Sequence, residues 1–241
     1  MKRIEKQAEQ KAAYKEWLKK RKKVVSGTEV GVLLGVSPWS TPDQLYESKI
    51  SEPTFVSNDY VVAGKALESG AIQYLLEHDF GIDAGSFDRY EFFVNAAGTV
   101  GTTPDGYIAD LDENSPLVGR LPKKSLLEYK TLKTAFFKSW LQNPPLYYLA
   151  QCQAQLLTTP LYEAVGLVAV LRNDTLARSI WKVNPLPKLQ ELIAHVSEDF
   201  VKAITQGKPY QADRDVPHLA RDLLLKSYEF LKHGGGHKDY V

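Results

Sequence analysis

Thr103-Pro104-Asp105-Gly106 and, 23 positions beyond the aspartate, Leu127-Glu128-Tyr129-Lys130-Thr131 decide how this chain reads. Residues 99–109 and 125–132 have the alternation of β-strands. Residues i and i+2 of a strand share a face, so Glu128 and Lys130 point one way and Tyr129 the other. With Asp105 at the adjoining end of the neighbouring strand, two carboxylates and one ammonium converge. Two carboxylates hold a hard cation, most often Mg²⁺. Such an ion polarises a phosphodiester and lowers the pKa of bound water, while the lysine orients that water or offsets charge growing on the phosphate. Taken singly, Pro-Asp-Gly is a common turn and Glu-x-Lys a surface pair worth under about 1 kcal/mol. Their placement on adjacent strands is what gives them weight.

Two neighbouring segments extend the group. Gly64-Lys65-Ala66-Leu67-Glu68 falls on a helix expected over 59–79. Its glycine permits close approach to another backbone, and Glu68 offers a third carboxylate. Gln151, Gln153 and Gln155 follow on a helix after the second strand. Gln151 and Gln155 lie one turn apart on one face, where an amide can bind a metal-bound water or a phosphate oxygen.

The remaining pattern places these segments in an α+β fold. Helices are expected over 4–22, from a capping box at Ser26-Gly27-Thr28-Glu29 to Gly35, and from Thr41-Pro42 onward. Strands are expected over 88–95, 99–109, 125–132, 162–172 and 178–184. Further helices are expected over 134–142, from Pro145 through Leu157, over 186–206 and over 214–232. Residues 110–124 read as a polar loop. The expected architecture is a mixed central sheet flanked by helices. It forms a single domain over 1–232 with a basic N-terminal helix, followed by a flexible tail over 233–241.

Composition narrows the classes. The chain has 241 residues, 44% hydrophobic and 24% charged, which suits one globular domain. A single cysteine, Cys152, excludes an internal disulfide, a four-cysteine zinc site and a protein-held iron–sulfur cluster. It reads as buried and inert. No apolar run is long enough to span a membrane. Met1 is followed by Lys and Glu, so no secretory signal is expected and the cytoplasm is the expected location. Net charge is +1, but residues 1–25 hold ten Lys/Arg against three Glu, and the rest of the chain twenty against twenty-six. The basic charge is thus gathered in one segment, suited to a polyanion or simply to solvent. The five histidines show no metal-ligand spacing. No phosphate-cradling glycine loop for ATP is present. Trp39 and Tyr46 are the aromatic candidates for contact with bases, although most aromatics belong to cores.

One ordered set of motifs resembles a known family. It runs Glu16-Trp17-Leu18, Arg21, Ser26-Gly27-Thr28-Glu29, Leu34-Gly35-Val36-Ser37-Pro38-Trp39, Thr41-Pro42, then Gly64-Lys65-x-x-Glu68. It continues with Thr103-Pro104-Asp105-Gly106, Leu127-Glu128-Tyr129-Lys130-Thr131, and Pro144-Pro145-x-x-Tyr148-x-Ala150-Gln151-x-Gln153. From about residue 14 to 160 this resembles the YqaJ-like viral recombinases, the group of bacteriophage lambda exonuclease, within the PD-(D/E)XK nucleases. The resemblance implies a PD-(D/E)XK core and a 5′→3′ exonuclease on linear double-stranded DNA. Such an enzyme is Mg²⁺-dependent, with Mn²⁺ able to substitute. It releases 5′-mononucleotides and leaves 3′ overhangs for a single-strand annealing partner.

The resemblance also implies roles by position. Asp105 and Glu128 are the metal ligands, Glu68 an additional acid, Lys130 the catalytic lysine, and Gln151 the glutamine that completes the site. Arg21 falls where the family grips the 5′-phosphate, and Thr28 and Thr103 at hydroxyl positions near that pocket. A homo-trimeric ring and a phage or prophage origin in a bacterial cytoplasm are implied as well. The segment between Asp105 and Glu128 is longer than in lambda exonuclease, which suggests an extended hairpin. The alternatives are a restriction- or repair-type PD-(D/E)XK endonuclease and a non-catalytic DNA-binding recombination protein.

The charge distribution sets one expected outcome. Removing residues 1–13 weakens binding to duplex DNA and flattens the dependence of log affinity on log salt, because fewer counterions are released. A salt titration of both proteins checks this.

Overall fold

The computed structural model describes residues 2–51, 84–86, 91–109, 115, 117–140, 143–171 and 178–234. The helix expected over 59–79, with Glu68, lies outside the described residues. In chain order the elements are α1 (Lys2–Lys22), β1 (Val25–Ser26), α2 (Gly27–Leu33), α3 (Pro42–Ile50), β2 (Ala84–Ser86), β3 (Phe93–Val94), β4 (Val100–Thr102) and β5 (Gly106–Ile108). They continue with β6 (Ser125–Leu132), α4 (Thr134–Trp140), α5 (Leu146–Thr158), β7 (Ala164–Leu171), β8 (Arg178–Val183), α6 (Pro187–Gln206), α7 (Val216–Leu224) and β9 (Tyr228–Gly234).

The central sheet has six strands in the order β2-β5-β6-β7-β8-β9. Among the described strands of this sheet, only β6 and β7 pair in parallel. A parallel pair needs a crossover, supplied here by α4 and α5. The strand β7, Ala-Val-Gly-Leu-Val-Ala-Val-Leu, is buried along its whole length, as its unbroken apolar character requires. Its alternate residues Val165, Leu167, Ala169 and Leu171 join the larger core beneath the helices, with Trp181, Ile193 and Phe200. Val168 and Val170 face the opposite side, where Leu117 and Leu121 complete a second cluster with Leu127 and Tyr129. The loop expected over 110–124 therefore carries two buried leucines that cover one face of the sheet. No helix among the described residues is long and apolar enough to cross a membrane.

The N-terminal helices follow their sequence signals. Glu29 accepts a hydrogen bond from the Ser26 N–H at 2.7 Å. At α3, the Thr41 hydroxyl accepts from the Gln44 N–H at 3.3 Å, and the Gln44 side chain from the Thr41 N–H at 3.0 Å, a reciprocal cap. Gly35 leaves α2 with a positive φ of 65°, the left-handed conformation that glycine adopts without penalty.

Three expectations need correction. The strand expected over 99–109 is broken at Thr103-Pro104-Asp105, since proline donates no hydrogen bond to a ladder. Its halves belong to different sheets: β4 lies in a small sheet of order β1-β4-β3, and β5 in the large one. The architecture thus has a second, minor sheet beside the expected central one. Of the strand expected over 88–95, residues 91–95 are described, and of these Phe93–Val94 form strand. The helix expected over 214–232 ends at Leu224, and the chain returns as β9 along β8, taking His233 and Gly234 into the sheet. The switch follows from Tyr228, Phe230 and Leu231, whose bulk suits an extended strand.

Helix α2 crosses α5 at Gly31. A Cβ added there would lie 2.8 Å from the Tyr147 Cβ and 3.1 Å from its Cα. We therefore expect Gly31→Val to lower stability by on the order of 1–3 kcal/mol through overpacking, measured as a fall in urea midpoint.

Candidate active site

The hairpin register brings the two distant motifs together. Gly106 pairs with Leu127 and Ile108 with Ser125 in the antiparallel β5–β6 pair. The same register continued by one residue sets Asp105 opposite Glu128. The connection is closed by the Tyr129 N–H, which donates to Asp105 Oδ2 at 2.9 Å. Alternation on β6 then sends Leu126, Glu128 and Lys130 toward α5 and sends Leu127 and Tyr129 into the opposite cluster.

Glu128 is only 1% exposed. A buried carboxylate is costly unless its oxygens are engaged. Oε1 accepts from Lys130 Nζ and from Gln151 Nε2, the latter at 2.6 Å, and Oε2 accepts from Gln155 Nε2. Gln151 and Gln155 present their amides from successive turns of α5. Their Oε1 atoms are buried and have no hydrogen-bond partner among the described residues. Lys130 Nζ also lies 5.0 Å from the centre of the Tyr148 ring. Burial works to lower the pKa of Lys130, but the charges of Glu128 and Asp105 outweigh it and hold the pKa above its usual value. The group is a charged ammonium in a nearly closed setting.

A cleft of about 180 Å³ opens beside this group. Asp105, Gln151 and Gln155 line it together with Arg21, Ser26, Thr28, Thr102, Thr103 and Trp17. Arg21 Nη2 donates to Ser26 Oγ at 2.9 Å and to Thr28 Oγ1 at 3.4 Å. Its guanidinium stacks 4.5 Å from the centre of the Trp17 ring. The Trp17 indole N–H in turn donates to Thr103 Oγ1 at 3.2 Å. Burial lowers the pKa of Arg21, with Glu29 opposing. A guanidinium starts so high that it stays protonated.

Arg21 stands on a rigid base. Lys49, buried at 8% exposure, donates to the backbone carbonyls of Arg21 and Val24, each at 2.8 Å. It also pairs with Glu29 at 2.7 Å. This ties the end of α1 to α2 and α3. Burial lowers the pKa of Lys49, opposed by Glu29.

The expected residues thus fall into two linked groups. Asp105, Glu128, Lys130 and Gln151 meet at the β5–β6–α5 junction, while Arg21, Thr28 and Thr103 meet at the far side of the cleft. Glu68 lies outside the described residues, and among those described no three His, Cys, Asp or Glu side chains gather into a metal-sized cluster. Gln153 is not in the site. It donates to the Asn184 carbonyl at 2.6 Å and accepts from the Leu186 N–H at 3.1 Å, fastening α5 to the start of α6. Cys152 is fully buried, and burial pushes its thiol pKa up, as an inert cysteine requires.

One contributor escapes the sequence pattern: Ser26, expected as a helix cap, accepts from Arg21 through its hydroxyl. Gln155, expected on the face of Gln151 as an amide for a metal-bound water or a phosphate oxygen, instead donates to the second oxygen of Glu128.

The sequence profile of the YqaJ-like viral recombinase domain matches residues 16–161, which contain every described residue of both groups. The chain belongs to that family. Among solved structures, this YqaJ-like chain is similar to an alkaline exonuclease (LHK-Exo) from Laribacter hongkongensis. The TM-score is 0.61 at 17% sequence identity, covering 88% of this chain and 100% of the other. The shared fold is α+β, in keeping with the expected PD-(D/E)XK core. No curated protein gives a significant match. The family match ends at residue 161, so β7 to β9, α6 and α7 lie beyond it while completing the same sheet and core.

The clamp on Glu128 predicts a stability effect. Gln155→Leu leaves a buried carboxylate oxygen short of a donor and should cost about 1.5–3 kcal/mol. In a Glu128→Gln background the same substitution should cost clearly less. Urea unfolding of the four proteins measures the coupling.

Proposed function

We propose that this protein is a metal-dependent 5′→3′ exonuclease on linear double-stranded DNA, releasing 5′-mononucleotides and leaving 3′ overhangs for single-strand annealing. The observation that carries the reading is the continuity of one cleft. Its walls hold Asp105 and the two glutamines that grip Glu128, and also the Arg21–Ser26–Thr28 cluster. A guanidinium fork with two hydroxyls suits a terminal phosphate. Its nearness to a carboxylate pair favours cutting next to an end.

The residues fit a hard divalent cation. Asp105 and Glu128 offer carboxylate oxygens, and the buried Gln151 and Gln155 Oε1 atoms are acceptors without another partner among the described residues. Asp105 and Glu128 would hold Mg²⁺, or Mn²⁺ in its place. When bound, the ion supplies Lewis acidity to the phosphate and a more acidic water.

The protein's own groups do the rest. Lys130, kept charged by Glu128 and Asp105, offsets the negative charge that grows on the scissile phosphate. Gln151 and Gln155 hold Glu128 in place. Arg21, its ring-stacked guanidinium fixed by Trp17, anchors the 5′-phosphate, with Ser26, Thr28 and Thr103 about it. The same reading gives the partners: duplex DNA ends, a single-strand annealing protein that receives the 3′ overhang, and two further copies completing a trimer, in the cytoplasm of a bacterial host.

Asp105→Ala and Lys130→Ala should each reduce degradation of linear duplex by at least on the order of 10²-fold. Retention of wild-type activity by either variant sinks the assignment. The wild-type product from an end-labelled duplex should be mononucleotides of the 5′ strand, and covalently closed circles should be spared. Duplex bearing a 5′-phosphate should be cut faster than duplex bearing a 5′-hydroxyl, and Arg21→Ala should remove that difference. Comparable rates on both ends for the wild type would count against the phosphate pocket.

A further inference from the structure

Two aromatic residues stood out in the sequence as candidates for base contact, and the fold separates them. Tyr46 is buried and packs edge-on against Phe200 at 6.3 Å. Trp39 is 75% exposed. A tryptophan held so far into water forgoes a large burial gain, so its position asks for a reason.

That position is well defined. The Val36 and Ser37 N–H groups both donate to the Gly31 carbonyl at 3.0 Å. The Trp39 N–H donates to Ser37 Oγ at 3.3 Å. Pro38 fixes its own φ. Burial raises the pKa of the Tyr147 hydroxyl, and the Trp39 side chain lies near enough to oppose this by favouring the charged form. Tyr147 lies against Tyr148, ring centres 4.4 Å apart, and Tyr148 faces the Lys130 ammonium at 5.0 Å. Moreover Tyr147, Gln151 and Gln155 recur every four residues on α5, so they share one face. Each step advances about 6 Å along the helix. The row that grips Glu128 therefore runs on to Tyr147, with Trp39 beside it.

We infer that Trp39, held on a hydrogen-bonded loop beside Tyr147, is a stacking site for an unpaired nucleobase of the DNA strand that passes the Asp105–Glu128 centre. The inference rests on the nuclease reading for its ligand class. A ring of this kind suits that ligand because every base has a π-face, so stacking tolerates any sequence. A processing enzyme that meets all sequences needs such tolerance. The braced loop means that little order has to be acquired on binding.

The test is equilibrium binding without hydrolysis. Fluorescently labelled duplexes with a short unpaired end are titrated with protein in EDTA, carrying either intact bases or one abasic residue at each unpaired position in turn. For the wild type, one position should show a loss of about 5- to 100-fold when its base is removed. Trp39→Ala should bind the intact DNA at the abasic level and show no loss there, while Trp39→Phe should keep most of the difference. Matching circular dichroism spectra control for folding. An unchanged base-to-abasic ratio in Trp39→Ala overturns the proposal, as does a wild type that ignores base removal everywhere or binds no DNA. Failure of the nuclease reading shows separately, as linear duplex left intact in Mg²⁺.

Discussion

A carboxylate removed from water must be neutralised and hydrogen-bonded where it stands. Glu128 meets that condition through Lys130 two residues away on its own strand and through two amides from α5. The consequence reaches beyond the site. The helix cannot slide or rotate against β6 without stripping partners from a buried charge, so the layer packing and the chemical group fix each other. Replacing this cluster by apolar side chains would fill the same space. It would not fix which turn of α5 faces which residue of β6.

The Arg21 cluster is built from another part of the chain, and one tripeptide joins the two. Thr103 faces Trp17 and Arg21, while Asp105 faces Tyr129 and Glu128. They are two residues apart, at most roughly 7 Å of chain. Pro104 ends the small sheet and Gly106 begins the large one. The break in strand pairing is thus the device that sets a guanidinium site beside a carboxylate site. Lys49 adds rigidity from beneath by holding the carbonyls of Arg21 and Val24.

Some of this was legible in advance because it depends on local rules. Glu128 and Lys130 had to share a face once 125–132 was a strand. Thr41 and Gln44 had to cap α3, and Gln151 and Gln155 had to lie one above the other. Other features escaped because they depend on partners far along the chain. Nothing local marks Ser26 as a ligand of Arg21 rather than a helix cap, since its hydroxyl serves whichever donor arrives. Gln153 resembles its two neighbours in sequence and differs only in which side of α5 it occupies. Residues 228–234 carry strand-favouring Tyr228 and Phe230, but they become a strand because β8 offers an edge to pair with, a circumstance that these residues alone do not reveal.

The sequence by itself determined the chemical inventory, the alternation of faces and the family to which the chain belongs. These follow from residue type and from spacings of two or four. Only the tertiary structure decided that Asp105 lies opposite Glu128 across 23 residues, that Arg21 opens into the same cleft, and that Trp39 stands in water while Tyr46 is buried. Those outcomes hang on strand register and helix crossing, where the free energy lies in contacts between segments remote in the chain.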